Sequence, residues 1–223
     1  MRSAACITTH NEQDTIASLV GHLRSYVDDV FVADTSLTWP LTPESDMTPE
    51  IAARAGAHVI HVGRGTSYRD GMLAAWCAAS DYDAVLQIDA GGSHRVQDGR
   101  TLLEAVWYTH ADMGIGCRFH CQSKYVGRPW RKWATRSFAA AMNLRYHEDM
   151  EDWTSGLRVF RRPILLFLLE QAYRTEGHAW NAEVLRKAVE WNAEIMIGSM
   201  NYTAGRSSLR FGRTLREMWK LLV

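Results

Sequence analysis

Long apolar runs are absent from this sequence. The run of large apolar residues 164–169 is far shorter than the roughly 20 apolar residues that a membrane-spanning helix needs. The first residues show no signal-peptide pattern either. We therefore expect a cytoplasmic protein, and peripheral contact is the one form of membrane association left open.

Cysteines are few, and nucleotide-binding glycine motifs are missing. The four cysteines, Cys6, Cys77, Cys117 and Cys121, lie in mostly apolar contexts and predict reduced thiols. The spacing of Cys117 and Cys121 fits no common zinc pattern. Neither G-x-G-x-x-G after the first strand nor G-x-x-x-x-G-K-[ST] occurs, so a dinucleotide fold and a P-loop are unsupported.

Acidic residues are missing from one long segment, although the formal net charge is zero. Residues 113–147 contain no acid and seven bases, and residues 195–215 carry only arginines as charged residues. This distribution predicts an anionic ligand or acceptor, with a solvated basic face as the alternative. A nucleic-acid partner is conceivable but has no support. The bases are Arg118, Lys124, Arg128, Arg131, Lys132, Arg136 and Arg145, then Arg206, Arg210 and Arg213.

Strands and helices alternate through the first 95 residues. This order predicts a doubly wound, mainly parallel α/β sheet, whose ligands bind beyond the carboxyl ends of the strands. Two predicted strands end in aspartates, Asp34 and Asp89. Asp34 suits a ribose or a base, and Asp89 suits a phosphate-bound metal or a sugar hydroxyl. The predicted strands are 4–9, 30–33, 58–62 and 85–88, and the helices are 14–26, 49–55 and 67–79.

The remaining residues predict more helices and fewer strands. We expect a single domain, 1–223, with a nucleotide-binding half, 1–95, and an acceptor half, 96–223, that ends in a helix. The predicted helices are 96–108, 130–144, 163–173, 182–191 and 209–223, and the strands are 113–119, 157–160 and 195–197. The last helix is expected to pack on the domain or to lie on a membrane surface.

Several segments together carry a family resemblance. The most specific are Asp152-Trp-Thr-Ser-Gly-Leu-Arg and Asp89-Ala-Gly-Gly-Ser-His. In their order and spacing the segments resemble the family-2 glycosyltransferases of the GT-A fold, and nearest the dolichol- or polyprenyl-phosphate mannose synthases. The resemblance covers nearly the whole chain. The segments are residues 7–12, 32–34, 87–94, 111–119, 152–162 and 180–185.

The resemblance implies a fold and an activity. The fold would be a Rossmann-like mixed, mainly parallel sheet flanked by helices. The activity would be inverting transfer of a hexose, mannose or glucose, from a GDP- or UDP-sugar to polyprenyl or dolichyl phosphate.

The resemblance also assigns donor-side residues. Asp89 matches the first aspartate of the metal-binding Asp-x-Asp motif and would act in catalysis by holding Mg or Mn. The nucleotide pocket would be lined by Thr9, Asn11 and Glu12, with Asp34 on the base or ribose and with Arg64 and Asp70 near the nucleotide sugar.

On the acceptor side, Asp152 falls where the family places an aspartate. Arg118 and one further base fall where the mannose synthases grip the lipid phosphate. Arg131 is our choice for that base, and Arg136 is its rival.

Two departures from the family pattern concern charge. Gly91 replaces the second aspartate of the motif, so we expect the metal to be weakly bound through Asp89, the diphosphate and water. Ser208 replaces a late lysine, and Arg206 and Arg210 flank it and would supply the positive charge.

The nature of the acceptor decides the role of Asp152. A hydroxyl on a protein, glycan or modified nucleic acid would need Asp152 as a general base. An ionised phosphate would need only arginines to position it. Two further readings stay open: Asp152 as an ordinary loop aspartate, and a protein that binds nucleotide sugars without catalysis.

Overall fold

The computed structural model describes residues 1–36, 46–63, 66–177, 179–204 and 211–222, with the backbone alone for 211–215. The strands are β1 Ser3–Thr9, β2 Asp29–Asp34, β3 His58–His61, β4 Ala84–Gln87, β5 Met113–Cys117, β6 Lys124–Val126, β7 Arg158–Arg161, β8 Ile195–Ser199 and β9 Asn201–Thr203. The helices are α1 Ile16–Leu23, α2 Thr48–Arg54, α3 Tyr68–Ala78, α4 Val96–Thr109, α5 Pro129–Tyr146, α6 Arg162–Leu169, α7 Ala179–Glu190 and α8 Phe211–Leu222.

One seven-stranded sheet runs through both parts of the chain, in the order β3-β2-β1-β4-β7-β5-β8. β7 runs antiparallel to its neighbours β4 and β5, and the other pairs are parallel. The predicted mixed, mainly parallel sheet is therefore confirmed. The carboxyl ends of β1, β2 and β4 meet at one edge, which is where such sheets bind ligands.

Separate apolar clusters cover the two faces of the sheet. On one face the rings of Trp76 and Phe160 lie 4.7 Å apart and those of Trp76 and Trp180 lie 5.0 Å apart, centroid to centroid. β1 and β4 are buried almost throughout, as expected for strands covered on both sides. This packing holds the strand ends in fixed positions beneath the site.

Among the predicted boundaries that differ from the structure, two lie where side chains distant in sequence bind the backbone. The predicted helix 163–173 ends at Leu169. In the segment that follows, the N–H groups of Arg174 and Thr175 donate hydrogen bonds to the buried carboxylate of Glu183. The predicted strand 113–119 ends at Cys117, because the N–H of Arg118 turns to Asp152. Sequence periodicity reports neither interaction.

A small second sheet, β6 paired with β9, was not predicted. Three-residue strands are too short to give a periodic signal. The sheet stacks the rings of Tyr125 and Tyr202 with centroids 5.5 Å apart. A backbone bridge joins Tyr202 to His94, so this sheet is tied to the loop that follows β4.

The C-terminal helix α8 packs on α5 and α7. Leu221 is buried, and its carbonyl oxygen accepts a hydrogen bond of 2.8 Å from the Tyr146 hydroxyl. Of the two expectations for this helix, packing is the one that the structure bears out. Within the described residues, no helix has the length and apolar character to cross a membrane.

Candidate active site

The ends of β1 and β2 form one wall of the site. Thr9 Oγ1 donates to Asp34 Oδ1 over 3.0 Å, and Ser36 Oγ donates to the same oxygen over 2.6 Å. Asp34 is fully buried. The two residues predicted to bind the nucleotide therefore lie together in a buried polar cluster at the sheet edge, and their role stays a prediction.

The loop after β1 places Asn11 and Glu12 at the same edge. Asn11 is exposed, with a left-handed backbone (φ 58°) that asparagine tolerates better than most residues. The N–H of Glu12 donates to Thr48 Oγ1 over 2.8 Å. Burial raises the pKa of Glu12, and a hydrogen bond from Thr15 opposes that rise.

The Glu12 carboxylate borders the position where the expected second aspartate is missing. A Cβ added to Gly91 would lie 3.5 Å from Glu12 Oε1. The departure at Gly91 therefore does not leave the site without a second carboxylate nearby.

Asp89 follows β4 and is held by two donors. The Tyr68 hydroxyl lies 3.2 Å from Asp89 Oδ1, and His94 Nε2 lies 3.0 Å from Oδ2. The Asp89 side chain is 26% exposed, whereas that of His94 is 1% exposed. The carboxylate is thus oriented from behind and open to a ligand in front.

Tyr68 is itself held by a buried amide network. Gln87 Nε2 donates to the Tyr68 oxygen over 3.2 Å and to Asn181 Oδ1 over 3.1 Å. Burial, followed by the charge of Asp89, raises the pKa of Tyr68 well above its usual value. Tyr68 therefore stays protonated and remains a hydrogen-bond donor to Asp89 at neutral pH.

Gly156 closes against Asp89 from the loop before β7. A Cβ at position 156 would lie 2.6 Å from Asp89 Oδ2, which is closer than any real side chain approaches. The glycine of the Thr-Ser-Gly segment is therefore required by the position of the Asp89 carboxylate.

Replacing Gly156 with Ala is expected to displace Asp89 and so to lower the affinity for the metal in the presence of nucleotide. Overpacking should also lower the free energy of unfolding by about 1–3 kcal/mol. Titration calorimetry and denaturant unfolding measure the two effects. Gly21→Ala is the matched control, because a Cβ there meets nothing within 4 Å. Unchanged metal affinity in Gly156→Ala would show that Asp89 does not depend on this contact.

Asp152 and Arg118 form a buried ion pair beside this loop. Arg118 Nε and Nη2 each donate over 2.6 Å, to Oδ2 and Oδ1 of Asp152. The N–H of Thr154 adds a bond of 3.1 Å to Oδ1, and Arg118 Nη2 also donates to Thr154 Oγ1 over 2.6 Å. The Asp152 side chain is 0% exposed and that of Arg118 is 13% exposed.

This ion pair fixes the charge state of both groups. Burial alone would raise the pKa of Asp152, but the Arg118 charge and the hydrogen bonds from Arg118 and Thr154 outweigh it, so the pKa is lowered. Burial opposes the charge of Arg118, yet Asp152 more than offsets it and raises that pKa. Asp152 is therefore an ionised carboxylate whose oxygens are already occupied.

Arg131 lies on the same side of the molecule as Arg118. The Arg118 guanidinium carbon is 5.3 Å from the Tyr202 ring, which stacks on Tyr125. Burial and Tyr202 raise the pKa of Tyr125, while the charges of Arg118 and Arg131 oppose the rise. Arg131 is half-buried and Arg136 is exposed. Arg131 therefore lies near Arg118 and Tyr125, and its role as a phosphate contact stays a prediction.

The other predicted residues lie apart from this cluster or outside the described residues. Asp70 sits in the first turn of α3, where it pairs with Arg69 over 2.7 Å and accepts a hydrogen bond from Ser67. The hydrogen bond from Arg69 lowers the pKa of Asp70. Arg64, Arg206 and Arg210 lie outside the described residues.

Sequence reasoning named no role for five residues of the site. His94 and Gly156 stood inside the segments that carry the family resemblance, so a signal for them existed. Tyr68, Tyr125 and Tyr202 had none, because each reaches the site through tertiary contacts.

The residues around Asp89 suit a divalent metal that is completed by ligand oxygens. Among the described residues, no group of three or more His, Cys, Asp or Glu side chains could hold a metal ion. Mg needs only one or two protein carboxylates when phosphates and water supply the rest. Asp89, with Glu12 beside Gly91, meets that requirement.

Comparison with known proteins gives relatives by sequence, although no family model matches. An undecaprenyl-phosphate mannosyltransferase from Micrococcus luteus is 29% identical over 194 residues, which are 82% of this chain and 76% of the relative. A polyprenol monophosphomannose synthase from Mycolicibacterium smegmatis is 26% identical over 198 residues, which are 84% of this chain and 72% of the relative.

Solved structures agree on the fold. The structure of a mycobacterial protein matches with a TM-score of 0.75 and 17% sequence identity. The match covers 99% of this chain and 73% of the mycobacterial chain. Glucosyl-3-phosphoglycerate synthase from Mycobacterium tuberculosis, in complex with Mn²⁺, UDP-glucose and phosphoglyceric acid, matches 99% of this chain and 78% of its own with a TM-score of 0.73 and 18% identity.

The chain has the GT-A fold, and its sequence is similar to polyprenyl-phosphate mannosyltransferases. The predicted resemblance to polyprenyl-phosphate mannose synthases is confirmed by the sequence relatives. In this fold, Asp89 and the buried polar cluster of Thr9 and Asp34 lie at the sheet edge, and the Asp152–Arg118 pair lies beside them.

Proposed function

We propose that this glycosyltransferase moves a hexose, mannose or glucose, from a nucleotide-diphosphate sugar to polyprenyl phosphate. The observation that carries the proposal is the state of Asp152, whose oxygens are buried and occupied by Arg118 and Thr154. A general base must be free to accept a proton from the acceptor. Asp152 fits the alternative role, which is to hold Arg118.

A phosphate acceptor agrees with this arrangement. Its oxygen is already ionised and needs positioning rather than deprotonation. The described hydrogen bonds of Arg118 use Nε and Nη2, so Nη1 is available for a phosphate oxygen. Arg131 supplies a second cation from α5.

The proposed reaction balances without a proton transfer. A phosphate oxygen of the acceptor attacks C1 of the hexose from the face opposite the leaving group. The new C1–O bond forms as the bond from C1 to the diphosphate breaks, so the configuration inverts. The nucleoside diphosphate leaves with the electron pair of that bond.

Negative charge on the leaving diphosphate must be stabilised. Asp89 and Glu12 are the residues that would hold Mg or Mn, which would supply positive charge to the diphosphate oxygens. Tyr68 and His94 orient Asp89 for this task. We expect weak binding of the metal without nucleotide, since the site offers few protein ligands.

The donor half, 1–95, would bind the nucleotide, and the acceptor half, 96–223, would bind the phosphate. Thr9 and Asp34, which are hydrogen-bonded to each other, would contact the ribose or base. GDP and UDP both remain candidates for the nucleotide.

An exposed apolar seam on α5 supports a lipid acceptor. The seam follows heptad spacing along the side of the helix away from the core. It consists of Trp130, Trp133, Ser137, Ala140 and Leu144. Trp133 is 74% exposed and Leu144 is 81% exposed. Tryptophan and leucine on one face with bases beside them are typical of helices that lie in a bilayer interface.

Charge favours a membrane over a second copy of the chain as the occupant of this seam. α5 contains four cations and no acid, so two copies facing each other would bring like charges together. An anionic bilayer surface complements them. We therefore propose peripheral docking through α5, which would bring the enzyme to an acceptor embedded in lipid.

Trp133→Ala combined with Leu144→Ala is expected to reduce binding to anionic phosphatidylglycerol vesicles by roughly tenfold or more, because it removes apolar area that enters the interface. Vesicle co-sedimentation measures this. Tyr108→Ala is the control, since Tyr108 is 80% exposed on α4. Equal vesicle binding by all three proteins would reject the seam, and oligonucleotide binding lost in the double variant would assign it to nucleic acid.

A panel of donors and acceptors tests the proposed function. GDP-mannose, UDP-glucose and related donors are combined with undecaprenyl phosphate in detergent, 3-phosphoglycerate, or a sugar hydroxyl, with Mn²⁺ or EDTA. Transfer to undecaprenyl phosphate is the expected result. Transfer only to 3-phosphoglycerate or to a hydroxyl would contradict the lipid acceptor, and binding without turnover would indicate a non-catalytic protein.

A further inference from the structure

A basic cavity lies away from the sheet edge, between α5, α7 and α8. Its volume is about 160 Å³, the space of about five liquid water molecules. Arg145, Arg174, Arg186 and Lys220 contribute four cations to its lining, and Glu183 contributes the one carboxylate. The cavity therefore has the size and the charge for a small anion.

In the described residues the Glu183 carboxylate keeps its charge but forms no ion pair with these cations, because its oxygens bind its own loop. Glu183 is fully buried. Its oxygens accept hydrogen bonds from the N–H groups of Arg174 and Thr175, each over 2.9 Å, and from Thr175 Oγ1 over 2.6 Å. This carboxylate shapes the loop before α7.

The cations are only partly paired. Arg186 pairs with Glu190 over 3.0 Å and Lys220 pairs with Glu217 over 2.7 Å. Arg186 Nε is nevertheless buried without a hydrogen-bond partner, a state that usually costs free energy. In the described part of the chain, neither Arg145 nor Arg174 has an ion pair with a carboxylate.

We propose that this cavity is a second anion site that binds a phosphate dianion, either inorganic phosphate or the phosphate group of a small monoester. Two arginines without carboxylate partners can each hold phosphate oxygens bidentately. The volume leaves room for one small substituent on the phosphate.

Binding there would link three helices. Arg145 belongs to α5, Arg186 to α7 and Lys220 to α8. α5 also carries Arg131, and Asn181 on α7 belongs to the network behind Asp89. A phosphate dianion in the cavity would therefore fasten the C-terminal helix to the two helices that border the active site.

Thermal unfolding of the full chain tests the site, with inorganic phosphate and glycerol 3-phosphate as probes against chloride at matched ionic strength. At about ten times the dissociation constant we expect the Tm to rise by roughly 2–5 °C. The double variant Arg145→Gln/Arg174→Gln should lose that rise. Arg100→Gln, an exposed arginine paired with Glu104 on α4, should keep it.

With both probes at the same concentration, a larger rise with glycerol 3-phosphate than with phosphate would identify a monoester as the ligand, and equal rises would identify phosphate itself. Arg118→Met separates the cavity from the acceptor site. If Arg118→Met abolishes the rise while the double variant retains it, the probe binds at the acceptor site and the inference is overturned. No step of this test requires sugar transfer, so its result stands apart from the proposed function.

Discussion

Asp89→Asn is expected to lower kcat by about 10²–10³-fold, the size of effect seen when one preorganised electrostatic group is lost. The amide keeps the shape of the carboxylate but loses its charge, so it holds a divalent metal and the leaving diphosphate poorly. Its NH₂ group would also face the donor His94 Nε2, which now lies 3.0 Å from Oδ2. Steady-state turnover across a Mn²⁺ titration, together with calorimetric Mn²⁺ binding in the presence of GDP or UDP, measures both losses.

The control for Asp89→Asn lies at the other end of the same strand. Asp81 precedes β4, its side chain is 84% exposed, and it pairs only loosely with Arg162. Asp81→Asn should keep kcat and Mn²⁺ affinity within error. Full turnover by Asp89→Asn in EDTA would remove both the metal and Asp89 from the mechanism.

The sheet was predictable because its information is local. The buried strands β1, β2 and β4 are continuous apolar runs, and the helices between them carry helical spacing such as Ile16, Leu19, Val20 and Leu23. The small sheet of β6 and β9 was not predictable, because its three-residue strands are too short to carry a periodic pattern.

The site was predictable only as a set of strand ends. Asp34 and Asp89 follow strands, so the parallel order brings them to one edge. The partners that define the chemistry of Asp89 come from elsewhere: Tyr68 from the start of α3 and Gly156 from the loop before β7. The sequence likewise suggested Asp152 as a base, and its pairing with Arg118 became visible only in three dimensions.

The second large expected effect is a loss of protein stability when the Asp152–Arg118 ion pair is broken. Asp152→Asn is expected to lower the free energy of unfolding by about 3–5 kcal/mol, because it leaves the Arg118 charge buried without its partner. Arg118→Met should cost a similar amount. The double variant should cost less than the sum, since no unpaired charge remains, and denaturant unfolding of the four proteins measures that coupling. Additive losses would show that the pair is not coupled.

The pH dependence of this effect has a defined sign. The pKa of Asp152 is lower in the folded protein than the value of about 3.9 expected in the unfolded chain. Its stabilisation is therefore present above about pH 4 and is lost as the pH falls through the folded pKa. The difference in unfolding free energy between wild type and Asp152→Asn should stay constant from about pH 5 to 7 and shrink below about pH 4.

Kinetics of the same variant separate positioning from base catalysis. If Asp152 only holds Arg118, Asp152→Asn should raise the KM for undecaprenyl phosphate and keep the shape of the pH–rate profile. Arg118→Met should raise that KM in the same way, because both changes remove the same phosphate contact. If Asp152 is instead a base for a hydroxyl acceptor, kcat should fall and the acidic limb of the profile should disappear. That second outcome would overturn the proposed phosphate acceptor, because an ionised phosphate needs no base.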